Sequence, residues 1–85
     1  INQMTIHPLP DRRILSVSGE DAKVFLQGLI TNDINKVTPN GWIYAALLTP
    51  QGKLFSEFFI TQEADKFLLD VAAEQLEALV KKLSM

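Results

Sequence analysis

Glu57 is the position in this 85-residue chain where the sequence most invites chemistry. It lies in the run Leu54-Phe55-Ser56-Glu57-Phe58-Phe59-Ile60. In an extended chain successive side chains point to opposite faces, so Phe55, Glu57 and Phe59 share one face and Leu54, Ser56, Phe58 and Ile60 the other. Neither set is a plain solvent face. A carboxylate between two phenylalanines is either desolvated and in need of a partner, or it marks the rim of an apolar patch. As a pocket acid it accepts hydrogen bonds from the N–H donors of a ligand. As an edge charge it deters strand association, or pairs with Lys53 or a neighbouring strand.

Thr31-Asn32-Asp33 is the second candidate. Three polar residues after an apolar helix can line a pocket, with Asn32 and Asp33 as ligand contacts. The same residue types are also preferred as helix caps, where they bond backbone amides. Gly52-Lys53 reads as turn chemistry plus a solvated lysine, because no G-x-x-x-x-G-K-[ST] spacing surrounds it. His7, between Ile6 and Pro8, has no carboxylate or serine close by in sequence and reads as an ordinary strand histidine. Trp42 and Tyr44 alternate along a strand and read as core or interface anchors.

These residues need elements to hold them. Met4 to Pro8 is short, β-prone and ended by prolines, which suits an edge strand. Arg13 to Val17 alternates, with Arg13, Leu15 and Val17 on one face. Ser18 or Gly19 then caps a helix with Glu20 and Asp21 in its first turn, where the helix dipole favours acids. Ala22, Phe25, Leu26 and Leu29 give that helix an apolar side. Thr31 to Asn35 reads as a turn with a short helical stretch, and Thr38-Pro39-Asn40-Gly41 as a turn. Trp42 to Thr49 and Leu54 to Thr61 form a hairpin across Pro50-Gln51-Gly52-Lys53, with Gly52 in the left-handed position. Gln62 to Asp65 turns into a third strand, Lys66 to Val71. Leu76, Leu79, Val80 and Leu83 then mark a final helix, with Glu77 and Lys81 spaced to pair.

The order β-β-α-β-β-β-α predicts an α+β fold, a mainly antiparallel sheet with two helices against it. The hairpin strands are apolar on both faces, which means that both are covered. Two helices cover one. The other calls for further chain, a second copy or a ligand, so self-association of the isolated chain is expected.

Composition narrows the partners. The chain has no cysteine, which excludes a disulfide framework, a zinc ribbon, an iron–sulfur ligand set and a thiol nucleophile. A single histidine argues against a metal site built from protein ligands alone. Eight basic and ten acidic residues give a net charge of −2 without a basic stripe, which disfavours nucleic acid. The longest apolar runs fall far short of a bilayer span, so no membrane partner is expected. The chain opens on Ile1 with no secretory pattern, as if upstream residues had been lost.

Arg13-Ile14-Leu15-Ser16-Val17-Ser18-Gly19-Glu20-Asp21-Ala22, followed by Phe25-Leu26-Gln27-Gly28-Leu29-Ile30-Thr31-Asn32-Asp33-Ile34, resembles a known opening. It is the "ll.v.G.DA..fLQgl.TnD" pattern of the folate-binding YgfZ family and of its relative, the glycine cleavage system T-protein (aminomethyltransferase). Ala46-Leu47-Leu48-Thr49-Pro50-Gln51-Gly52-Lys53-Leu54 is similar to that family's "LL.pqGk" hairpin. The matched blocks cover nearly the whole chain in the right order.

The resemblance implies that residues 1–85 are the N-terminal portion, a quarter to a third, of a ring of domains around a tetrahydrofolate. The remaining domains of the same protein would cover the open sheet face. It further implies a folate-dependent accessory role in assembly or repair of iron–sulfur enzymes, its client proteins, in the cytoplasm or, in a eukaryote, the mitochondrial matrix. The family's downstream K-G-C-Y-x-G-Q-E motif is not within these residues. T-proteins carry "GGi.DD" after the hairpin, the second acid being catalytic. Here Lys53 replaces the second glycine, Ser56 the first aspartate, and Glu57 stands in the catalytic place. A tyrosine and an asparagine of the T-proteins fall near Leu68 and Ala72. The aminomethyltransferase pattern is thus only partly kept, and the Gly-Lys hairpin fits the YgfZ branch. A scaffold role without ligand contacts is the remaining alternative.

Overall fold

Five segments with strand-like alternation pair into one antiparallel sheet in the computed structural model, which describes residues 3–84. Strands β1 (Gln3–Pro8) and β2 (Arg12–Ser18) form a hairpin. Strands β3 (Ile43–Leu48), β4 (Leu54–Glu63) and β5 (Lys66–Ala72) form a meander. The order across the sheet is β1-β2-β5-β4-β3. Helix α1 (Ala22–Gln27) and a 3-10 turn (Ile34–Lys36) follow β2. A second 3-10 turn (Ala73–Gln75) leads from β5 into helix α2 (Leu76–Leu83). This is the order that the sequence predicts.

One sheet face makes the core. Leu15 and Val17 of β2, Ala45 and Leu47 of β3, Phe58 and Ile60 of β4, and Phe67, Leu69 and Val71 of β5 are all buried. They pack with Ala22 and Leu26 of α1 and Leu79 and Leu83 of α2. Phe25, Leu29, Leu76 and Val80, the rest of the two expected helical stripes, are partly buried against the same cluster. Ser56 is the polar exception on that face of β4. It is buried, and its hydroxyl donates to Gln75 Oε1 at 3.1 Å.

The β3–β4 turn sets which β4 residues face the core. Gly52 has φ +85°, the left-handed conformation expected of it. Its N–H donates to the Thr49 carbonyl at 2.8 Å, and Thr49 N–H donates to Lys53 O at 2.7 Å. A register shift follows at once: Leu47 pairs with Ser56 and Leu48 with Leu54, so Phe55 has no opposite number. This bulge moves Phe55 away from its expected place beside Glu57. Its ring lies instead against α2, 5.8 Å from Lys82 Nζ.

Three further expectations are corrected. Glu20 and Asp21 sit in the turn before α1, not in its first turn, and Asp21 makes no side-chain cap hydrogen bond. The bend at Gly19, φ +129°, delays the helix start to Ala22. Trp42 and Tyr44 are no core anchors: Trp42 precedes β3, and both rings stay about half exposed. Glu77 and Lys81 keep their spacing on α2 without closing an ion pair, and the ion pair among the described residues is Arg12–Asp70.

Candidate functional site

The face away from the helices carries the groups that can do chemistry. Strand register arranges them in rows. Tyr44, Phe59, Asp70, Ile14 and His7 form one row across all five strands. The next row toward the β3–β4 turn begins with Ala46 opposite Glu57 and ends with Ala72 opposite Arg12. Glu57 lies one step beyond the Phe58–Val71 pair, which sets it beside Ala72 and completes that row.

These residues enclose a cleft of about 260 Å³ whose lining includes Arg12, Tyr44, Glu57, Phe59, Glu74 and Gln75. Its aromatic wall is Tyr44 and Phe59, edge to face at 6.0 Å and 70°. Alanines flank Glu57 on both neighbouring strands and leave room above the sheet. Glu57 itself is exposed, and no hydrogen bond to its carboxylate occurs among the described residues. Its backbone N–H faces Gln75 Oε1 at 3.4 Å, on the same oxygen that holds Ser56. The 3-10 turn after β5 thus fixes the backbone that presents the carboxylate.

Arg12 supplies the cation of the cleft. Its Nε donates to Asp70 Oδ1 at 2.8 Å and its Nη2 to the Asp70 carbonyl at 2.9 Å. Two contacts to one residue pin the guanidinium plane, as a forked donor allows. Nothing local in the sequence announces this pair, since 58 positions separate the partners. Only the β2–β5 register brings them together.

Asn32 and Asp33 lie elsewhere and do not line the cleft. Asn32 Nδ2 donates to the Tyr44 carbonyl at 2.9 Å, and its Oδ1 accepts from Asp33 N–H at 2.7 Å. Asp33 caps the first 3-10 turn, its Oδ1 accepting from Asn35 N–H at 2.9 Å. Thr31 Oγ1 accepts from Ala46 N–H at 3.1 Å. The triplet therefore ties the α1 connection to the backbone of the edge strand β3. His7 is exposed and shares a shallow depression with Ile14, Glu63, Lys66 and Leu68, so a carboxylate far off in sequence stands near it after all. Among the described residues no cluster of His, Cys, Asp and Glu could hold a metal ion, and no helix is long and apolar enough to cross a membrane.

An arginine paired to Asp70, two carboxylates (Glu57 and Glu74) and an aromatic wall can together bind a flat polar heterocycle. No family model matches the chain. Individual proteins do. It is 38% identical over 79 residues to an iron-sulfur cluster assembly factor IBA57 homolog, mitochondrial, from Pyricularia oryzae, covering 88% of this chain and 20% of that protein. It is 32% identical over 69 residues to a tRNA-modifying protein YgfZ from Colwellia psychrerythraea, covering 81% and 21%. It is 34% identical over 64 residues to an aminomethyltransferase from Bacillus velezensis, covering 74% and 18%. The chain spans about a fifth of the length of these curated relatives. Sequence blocks and relatives agree: over the part that it spans, the chain belongs to the YgfZ family, kin to the aminomethyltransferases.

Proposed function

We propose that the protein carrying this chain binds a reduced folate on the open sheet face and serves the assembly or repair of iron–sulfur enzymes. Glu57 is the acceptor for N–H groups of the reduced pterin, and Phe59 and Tyr44 form the wall beside it. The observation that carries this reading is an unpartnered carboxylate in a cleft with one aromatic side, at the position where aminomethyltransferases keep an acid. Asn32 holds the β3 backbone at the Tyr44 carbonyl, and Asp33 caps the 3-10 turn that follows it. The iron–sulfur role is supported by the relatives named as cluster assembly factors. Further domains of the same protein and iron–sulfur clients are its partners in this reading. Its place is the mitochondrial matrix in a eukaryote and the cytoplasm in a bacterium.

Aminomethyl transfer to tetrahydrofolate is the second reading, favoured by the acid at position 57 and by the aminomethyltransferase among the relatives. Against it stands Ser56. It occupies the place of the other acid, is only 1% exposed and is bonded to Gln75 of the second 3-10 turn, so it offers nothing to a substrate.

Titration calorimetry of tetrahydrofolate against the complete protein tests the folate reading. Glu57→Gln lowers affinity about tenfold or more, the effect of weakening one charged hydrogen bond. Glu63→Gln, at the far end of β4, changes nothing. Equal affinity of parent and Glu57→Gln overturns the assignment. Ammonia release from an aminomethyl-dihydrolipoyl donor in the presence of tetrahydrofolate would instead establish the transferase.

A further inference from the structure

One residue of the cleft holds β4 at two consecutive positions. Gln75, in the 3-10 turn before α2, lines the cleft and offers a single oxygen to both. Its Oε1 accepts from Ser56 Oγ at 3.1 Å and faces the Glu57 N–H at 3.4 Å. Ser56 belongs to the buried face and Glu57 to the open one. The register explains why Glu57 needs this contact. Ala46, opposite Glu57, turns its N–H and its carbonyl to Thr31, away from β4. The pair is therefore of the non-hydrogen-bonded kind, and the Glu57 N–H points to the β5 side. Pairing of β4 with β5 runs from Glu63–Lys66 to Phe58–Val71 and goes no further. Strand β5 ends at Ala72, and the next residue, Ala73, gives its N–H to the Asp11 carbonyl beside β2. A side-chain oxygen thus stands where the ladder has run out.

That oxygen does two things for the site. It gives an acceptor to a buried hydroxyl and to a backbone N–H, either of which is costly to leave unpaired. It also favours one register, because a slip of one residue would turn the Ser56 hydroxyl away from it. Resting on the folate reading above, we infer that Gln75 is a positioning residue, which sets the affinity of the cleft through Glu57. Its oxygen is taken up by β4, and the backbone so held keeps the carboxylate in one place beside Tyr44 and Phe59. A group ordered before the ligand arrives has less freedom to lose on binding, which is the physical content of the effect.

The test measures two quantities on the complete protein, tetrahydrofolate affinity by calorimetry and the thermal midpoint without ligand. Gln75→Met keeps the length of the side chain and loses the acceptor. It lowers the affinity about fivefold and lowers the midpoint. Adding Ser56→Ala removes the orphaned hydroxyl, so the midpoint recovers in part. The affinity stays low, because the Glu57 N–H is still unheld. Added to Glu57→Gln, Gln75→Met costs less than about twofold more, since the group that it positions is already gone. Parent affinity in Gln75→Met overturns the inference. So does an affinity that recovers together with the midpoint when Ser56→Ala is added, in which case Gln75 serves folding alone. A full fivefold loss on top of Glu57→Gln also overturns it, because Gln75 then acts by another route. Parent affinity in Glu57→Gln alone is the separate result that brings down the folate reading itself.

Discussion

Phe58 and Phe59 are neighbours on β4 with the same side chain and opposite surroundings. Phe58 is 2% exposed within the core, whereas Phe59 is 46% exposed on the open face. Their strand neighbours repeat the contrast: Ser56 and Ile60 are buried with Phe58, while Glu57 is exposed with Phe59. One face spends its apolar surface on folding. The other keeps Tyr44 and Phe59 in reach of solvent beside two charged groups. Apolar side chains that stay exposed and contiguous mark contact sites. The two faces of one strand thus differ in what they bury, and the proposed binding would use the one that folding leaves open.

Removing each phenylalanine is the most direct way to break that division. Phe58→Ala empties a core site and costs about 3–5 kcal/mol, a large share of the stability of a domain of this size. Phe59→Ala gives up a half-solvated ring and one edge-to-face contact, costing about 1 kcal/mol or less. Urea unfolding of the two variants shows the difference as a large fall in midpoint for the first and a small one for the second. Comparable falls would mean that the open face contributes to folding as the core does.

The β3–β4 turn decides which residue goes to which face, so it offers a smaller lever on the same comparison. A slip of one residue would turn Ser56 outward and Glu57 into the core. Gly52, at φ +85°, has open space where a Cβ would sit, so a substitution there meets backbone strain and no clash. Gly52→Ala costs about 1–2 kcal/mol for holding an L-residue in the left-handed region. Gln51→Ala, in the same turn, costs almost nothing. Equal losses at the two positions would remove the turn as the source of register.

Much of this architecture was legible because period-2 and period-3.6 patterns are local. The five strands, both helices and the left-handed Gly52 each follow from a few consecutive residues. Glu57 was legible as a candidate for the same reason, being an acid amid an apolar strand. Phe55 was misplaced because a bulge is set by the partner strand, and alternation within β4 cannot reveal it. The Arg12–Asp70 clamp was invisible because it depends on the β2–β5 register. Trp42 and Tyr44 are not core anchors, because aromatic character does not tell which sheet face has a covering layer. The late start of α1 came from the bend at Gly19, where the acids that suit a first turn fall one step too early.

The far end of β4 carries the smallest effect and the finest test of how the strand is held. Glu63 pairs with Lys66, which leaves Ala64 and Asp65 as a two-residue turn. Ala64 has φ +55°, and it is the one non-glycine residue with positive φ among those described. Holding alanine there costs roughly 1–2 kcal/mol, from the approach of its Cβ to the carbonyl oxygen. Glycine removes that strain and adds about 0.4–1 kcal/mol of chain entropy to the unfolded state. The two terms leave a net gain of about 0.5 kcal/mol for Ala64→Gly. In a domain of this length that raises the melting temperature by about 2–4 °C. Asp65→Gly is the comparison, because Asp65 does not share the positive φ and glycine brings it only the entropic loss. Thermal melts should therefore move in opposite directions for the two variants. A lowered melting temperature for Ala64→Gly would show that the turn is not strained, and that the end of β4 is held by Glu63 and Lys66 pairing alone.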